Sequence, residues 1–353
     1  MQLPNIWPKP TFGGLLAFTL CMLQLTPLWA QVKVTENPAE KSVDIVIDGQ
    51  PFTSYIYPET IKKPVLFPIR TPPGTIVTRS YPLLPKEGER VDHPHHVGLW
   101  LNYGNVNGLD FWNNSEAIPE EKRDRYGTIR HREVLQTKSG EVGELTVAAD
   151  WLTPDDKKLL DETTTFSFSQ QGDAYIIDRV TTLIAEEETV AFDDNKEGMI
   201  AIRVTRELEH PSDQPGLFTD ANGNATEVEK MDNEGVNGKY SSSEGVRGTE
   251  VWGTRAEWVN LTGSIDEEAV SIVIMDHPEN VGYPTYWHAR GYGLFSANPL
   301  GQKVFSKGEE ELNFALEPGE KVTFRYRVVI YGADEPLDEE AIEDWYADFT
   351  DAS

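Results

Sequence analysis

Apolar and polar residues alternate with a period of two over much of the chain. In an extended strand, that pattern turns one side toward a core and the other away from it. Residues 33–47 alternate in this way and run into Asp48-Gly49, a two-residue hairpin signal. In 174–183, Tyr175, Ile177 and Arg179 fall on one side, and Ile176, Asp178 and Val180 on the other. The same reading predicts strands at 64–68, 76–78, 96–103, 126–135, 144–151, 163–169, 199–204, 251–261, 270–276, 291–297 and 321–331. Helical spacing is clear only in 337–349. There Leu337, Ile342, Trp345, Tyr346 and Phe349 share one face of an acidic segment expected to cap the end of the fold. Residues 211–250, rich in Gly, Asn, Ser and Glu, predict a long surface excursion with no strong strand.

More than ten strands and one short helix give an all-β class, a large antiparallel β-sandwich. Strands do not alternate with helices, which argues against Rossmann and TIM folds. The chain has no G-x-G-x-x-G, P-loop or G-x-S-x-G motif. Residues 31–353 read as a single domain.

The first thirty residues stand apart. They hold no acid and one base, Lys9, and 12–25 is nearly all apolar, followed by Pro27-Leu28-Trp29-Ala30. This reads as a secretory signal peptide, with an apolar run shorter than the ~20 residues of a membrane span. It predicts an exported protein, periplasmic or extracellular. Its removal takes away Cys21, the sole cysteine, and with it any disulfide, Cys–zinc site or thiol nucleophile. It also leaves 30 basic against 59 acidic residues, a net charge of −29. So negative a surface excludes broad nucleic-acid binding, and no later segment is apolar enough to span a membrane.

Three of the seven histidines crowd into Asp92-His93-Pro94-His95-His96. Imidazole titrates near pH ~6.5, so it can act as acid, base or neutral metal ligand. In extended chain His93 and His95 point one way and His96 the other. Beyond them, Val97, Leu99 and Leu101 should face the core, and His96, Gly98, Trp100 and Asn102 a cleft. Trp112, in Asn107-Gly108-Leu109-Asp110-Phe111-Trp112, offers a flat ring for sugar stacking.

A second cluster places Tyr286, His288, Arg290 and Tyr292 on one strand face, with small Ala289, Gly291 and Gly293 on the other. Arg supplies charge, His proton transfer, and Tyr stacking and hydrogen bonds. Asp194 and Glu197, in Asp193-Asp194-Asn195-Lys196-Glu197-Gly198, can bring a carboxylate opposite the histidines. Arg79 fits an anion clamp or an internal ion pair. His131, between Arg130 and Arg132, is a further candidate.

Several motifs together resemble the bacterial family often labelled PmoA-like, exported proteins of unknown function. They are Lys63-Pro64-Val65-Leu66-Phe67-Pro68, Thr78-Arg79-Ser80-Tyr81-Pro82, the histidine cluster, the segment ending at Trp112, Lys196-Glu197-Gly198, and 286–295. The resemblance runs in order from Lys63 to Gly332. It implies a carbohydrate substrate, because such proteins accompany sugar-degrading and sugar-oxidising enzymes. The all-β pattern also resembles the galactose-mutarotase supersandwich, which implies a sugar held on a sheet face by His and carboxylate groups.

The expectation is an exported carbohydrate-active enzyme using acid–base chemistry, of lyase, hydrolase or epimerase type. His93, His95, His96, His288 and Glu197 are the candidate catalytic residues. Arg79, Trp100, Asn102, Trp112, Tyr286, Arg290 and Tyr292 are the candidate binding residues. A metal-dependent variant would hold a divalent cation on His93 and His95 with His288 or Glu197. The alternative is a non-catalytic glycan-binding surface protein, in which the aromatic residues matter and the histidines do not.

Overall fold

The computed structural model describes residues 31–351. The expected signal peptide lies outside the described residues. Two eight-stranded sheets dominate, and every strand pairing within them is antiparallel. The fold is therefore all-β, a large antiparallel sandwich with one short C-terminal helix.

The first sheet begins with the hairpins of Val32–Asn37, Ser42–Ile47 and Gln50–Ile56. Asp48 and Gly49 both have positive φ, as the tight turn between the last two requires. The sheet continues through Val65–Leu66, Leu99–Leu101, Ile200–Arg203, Leu294–Asn298 and Tyr286–Trp287. The second sheet is built from longer strands, including Lys158–Gln171, Ala174–Ala185 and Lys321–Ala333. One apolar cluster fills the space between the sheets, with Leu99, Leu101, Ile200 and Ile202 from the first facing Leu145, Ile177, Ile272 and Val328 of the second.

The outer face of the second sheet is covered by the helix Glu339–Asp351, whose Ile342, Tyr346 and Phe349 pack on Trp258, Val273, Met275 and Val329. The helix thus lies along a sheet rather than capping an end. The segment 211–250 also differs from expectation. It contains a small hairpin, Gly216–Thr219 with Ala225–Val228, and an edge strand of the second sheet, Lys239–Ser242. Its polar composition suits these strands because the hairpin stands mostly in solvent. No helix among the described residues is long and apolar enough to cross a membrane.

The outer face of the first sheet carries a third, smaller apolar cluster, with Val65, Trp100, Ala201 and Leu294. Register sets Ala201 opposite both Trp100 and Ser296, and Arg203 opposite Leu294. Arg203 and the histidine loop sit on this face.

Candidate functional site

The loop 92–96 is fastened to the first sheet by two buried arginines. Arg79 and Arg203 are 1% and 0% exposed. Arg203 donates to Asp92 Oδ1 at 2.8 Å, and Arg79 donates to the same oxygen. Arg79 also donates to the carbonyls of Asp92 and His93 at 2.9 Å and of His96 at 3.1 Å. Of the two roles expected for Arg79, the structure shows the internal ion pair: its donors serve the loop, so its place among the ligand-binding residues is not kept.

The other oxygen of Asp92, Oδ2, lies 3.0 Å from Nδ1 of His93. Burial alone would raise the Asp92 pKa, but the His93 hydrogen bond and the charges of Arg203 and Arg79 outweigh it and hold the carboxyl below its usual range. An ionised carboxylate only accepts, so the hydrogen bond places a proton on Nδ1 of His93, and the neutral tautomer compatible with it carries its lone pair on Nε2. The His93 side chain is 41% exposed, the only one of the loop's three histidines open to solvent.

His93 is also held by stacking. Its ring lies parallel to His96 at 4.8 Å and to Tyr292 at 5.1 Å, and His96 stacks on Trp100 at 5.3 Å. The column runs from the sheet surface outward. His93 has a positive φ of 41°, which turns its side chain out of the extended pattern. Gly98 resets the pattern a second time. Its φ is 59°, and a Cβ there would stand 2.2 Å from the Leu66 carbonyl oxygen. Val97 therefore joins Trp100 on the outer face instead of Leu99 and Leu101 in the core.

The other two loop histidines are neutral internal groups. Arg203 donates to Nδ1 of His96 at 3.1 Å, so the His96 proton sits on Nε2, which has no partner. Burial, then His95 and Arg203, push the His96 pKa well down. Burial and then Lys63 push His95 down to about 2. Lys63, which sequence reasoning passed over as part of a motif, is 4% exposed and donates to the His95 carbonyl at 2.6 Å. Burial lowers its pKa to about 7 against the pull of Asp110.

Of the expected binding residues, Trp100, Asn102 and Trp112 are structural. All three are buried. Asn102 accepts from the Trp100 indole at 3.0 Å and donates to the Phe111 carbonyl at 2.7 Å, while Trp112 packs edge-on against His96. None offers a stacking surface to a ligand. Tyr286 is buried as well, stacked on Phe305 with Arg255 4.3 Å from its ring. The face expected for 286–292 is partly realised: Trp287 and Ala289 enter the core, opposite to His288. His288 is 3% exposed, and burial with Lys196 and Arg290 lowers its pKa to about 3.

Arg290 and Tyr292 are the two that reach the site. They sit on a tight turn in which Gly293 N–H donates to the Arg290 carbonyl and Arg290 N–H to that of Leu294. The Arg290 guanidinium lies 5.7 Å from the Tyr292 ring and 5.9 Å from Trp252. A cleft of about 500 Å³ opens there, lined by Arg290, Tyr292, Trp252, Ser212, Gln214 and Thr249 among others. Burial raises the Tyr292 pKa, opposed by Arg203 and Arg290 and assisted by Asp92 and Glu197. All four charges are thus felt at one phenol.

Glu197 accepts from Asn113 at 2.7 Å and from Lys196 at 2.9 Å, and Asn113 also bonds Asp110 at 2.8 Å. Asp194 does not join the site: it accepts from the backbone N–H groups of Lys303 at 2.7 Å and Asn313 at 2.9 Å and staples that segment down. His131 lies in another cleft, stacked on Tyr57 at 3.8 Å. Among the described residues no three His, Asp or Glu side chains are gathered to hold a metal ion. The set His93, His95 and His288 or Glu197 therefore does not form a ligand cage.

Asp92 and Arg203 are the members of this arrangement that the sequence does not single out. Asp92 lay inside the histidine motif, and an arginine inside the apolar stretch 199–204 was the signal for the other.

A family of unknown function, DUF6807, matches residues 42–347. The chain belongs to that family. No curated protein matches this DUF6807 chain. Among solved structures it is similar to a β-arabinopyranosidase, at 10% identity over 87% of this chain, with a TM-score of 0.31. The chain spans 39% of that enzyme's length. It is also similar to a galactose mutarotase-like protein from Clostridium acetobutylicum, at 12% identity over 86% of this chain and 98% of the other, with a TM-score of 0.30.

Proposed function

We propose that this DUF6807 protein is an exported carbohydrate-active enzyme in which His93 is the general base. The observation that carries the proposal is the His93–Asp92 pair. Asp92 is locked by two buried arginines and fixes the His93 tautomer, and the His93 ring stacks on Tyr292, which lines a polar, aromatic cleft.

That arrangement suits proton abstraction from a sugar. Nε2 accepts the proton, and the ionised Asp92 stabilises the imidazolium that forms. Tyr292, held protonated by burial, is placed to return a proton, and Arg290 to face developing negative charge. Epimerisation and elimination fit this set better than hydrolysis. Hydrolysis in most families needs a carboxylic acid and a carboxylate about 5–9.5 Å apart. Here Asp92 is held ionised with both oxygens engaged. Trp252, Ser212, Gln214 and Thr249 provide the mixture of apolar face and hydrogen-bonding groups that a sugar ring uses. The proposal includes removal of residues 1–30 on export.

The test is incubation of the 31–353 chain with neutral, uronate and 3-keto glycosides, with and without EDTA, followed by mass spectrometry. His93→Gln should lower turnover about 10²–10⁴-fold with an unchanged melting temperature. Turnover abolished by EDTA would replace this base mechanism with a metal-assisted one. Glycan binding without any turnover, unaffected by His93→Gln, would make the protein a glycan binder.

A further inference from the structure

The cleft lined by Tyr292, the residue on which His93 stacks, differs in charge from the rest of the molecule. The chain carries 59 acidic residues, yet none of the eleven residues lining this cleft is Asp or Glu. The lining holds two arginines. Arg90 is neutralised by Glu209 at 2.8 Å. Arg290 is exposed, and among the described residues no carboxylate lies within ion-pair distance of it. In so acidic a protein most arginines acquire a carboxylate. Arg79, Arg132, Arg179, Arg203 and Arg327 all do so.

Arg290 is instead held near Trp252 and Tyr292, which orient a guanidinium without discharging it.

We infer that the cleft takes a sugar bearing a single carboxylate, a uronate, with the carboxylate on Arg290 and the ring against Trp252. The planar fork of one arginine matches the two oxygens of one carboxylate in geometry and in charge. The cleft's volume of about 500 Å³ is of monosaccharide or disaccharide scale. The inference rests on the acid–base reading and sharpens it. The C–H next to a carboxylate loses its proton most readily when a cation neutralises that carboxylate. His93 Nε2 would take the proton and the electron pair would pass into the carboxylate. The intermediate then either regains a proton on the opposite face or expels the oxygen substituent on the neighbouring carbon.

Calorimetry on the 31–353 chain tests this with glucuronate and galacturonate, their methyl esters, glucose, galactose and glucose 6-sulfate. A uronate should bind at least about tenfold more tightly than its ester or neutral sugar, and Arg290→Gln should erase that difference. Being exposed, Arg290→Gln should leave the melting temperature in place. Uronate binding should survive His93→Gln. Equal binding of uronate and ester, or unchanged uronate binding in Arg290→Gln, overturns the carboxylate assignment while leaving the sugar cleft standing. Sulfate binding as tight as uronate overturns the choice of carboxylate. If no sugar binds and none is turned over, this inference and the proposed function fall together.

Discussion

The two sheets bury arginines on their outer faces in opposite ways. On the second sheet Arg327 donates to Asp178 at 2.6 and 2.8 Å, to Asp348 at 2.8 Å and to the Trp345 carbonyl at 2.9 Å. Two of these partners belong to the helix Glu339–Asp351, so the arginine joins sheet to helix and every nitrogen is used. On the first sheet Arg79 and Arg203 share Asp92, yet the Nε of each has no partner, nor do Nε2 of His95 and His96. The packed face also leaves one polar atom without a partner, the Trp258 indole Nε1, but its Arg327 is fully paired and covered by apolar surface. On the other face two arginines and two imidazoles keep a nitrogen unpaired and one imidazole stays open to solvent, which is the pattern the proposed function draws on.

The sharpest test of that contrast is Asp92→Asn. It leaves two buried guanidinium groups facing a neutral partner and should cost about 3–5 kcal/mol in chemical denaturation, with turnover lost as well. Ile342→Ala, on the packed face, should cost about 2–4 kcal/mol and leave turnover per folded molecule intact. A loss of kcat in that variant would mean the two faces are coupled.

A third test uses acid. His288 and His95 have folded pKa values of about 3 and about 2, against ~6.5 in an unfolded chain. Above pH ~6.5 both states are neutral and nothing is gained or lost. As pH falls from there toward 3, the unfolded chain binds protons that the fold refuses. Stability should then drop by up to about 1.4 kcal/mol per pH unit for each such histidine. Asp92 adds its own loss at lower pH still, once its carboxylate protonates. Urea midpoints at pH 7.5, 6 and 5 check this, and His288→Phe should flatten the slope by one proton. The smallest effect is expected of Tyr292→Phe. It should reduce turnover about tenfold, through loss of a proton carrier, while stability moves by less than about 0.5 kcal/mol.

Local pattern made the sandwich legible. Asp48-Gly49 forms the expected turn, and Leu99 and Leu101 face the core as their spacing requires. The histidine loop was legible too, because it is contiguous. What escaped is non-local. Arg203 meets Asp92 across 111 residues, a pairing no window of sequence contains. The positive φ values of His93 and Gly98 interrupt the period-two rule at the loop itself, so the face assigned to Val97 came out reversed. Trp100 and Trp112 read as stacking platforms because burial depends on what lies above a strand, and Lys63 and Leu83 pack over them from other segments.

The arginine clamp has a consequence for how the site is lost. Asp92 is tied to Arg79 and Arg203, and these sit on backbone that is itself hydrogen-bonded, Arg79 N–H to the Arg203 carbonyl and Arg203 N–H to that of Gly98. The loop has no independent hinge. Heating should therefore not produce a folded but disarmed protein. Inactivation and the loss of β-structure should trace one cooperative curve, and the amides of residues 93–98 should exchange with solvent only as slowly as the sheet that anchors them.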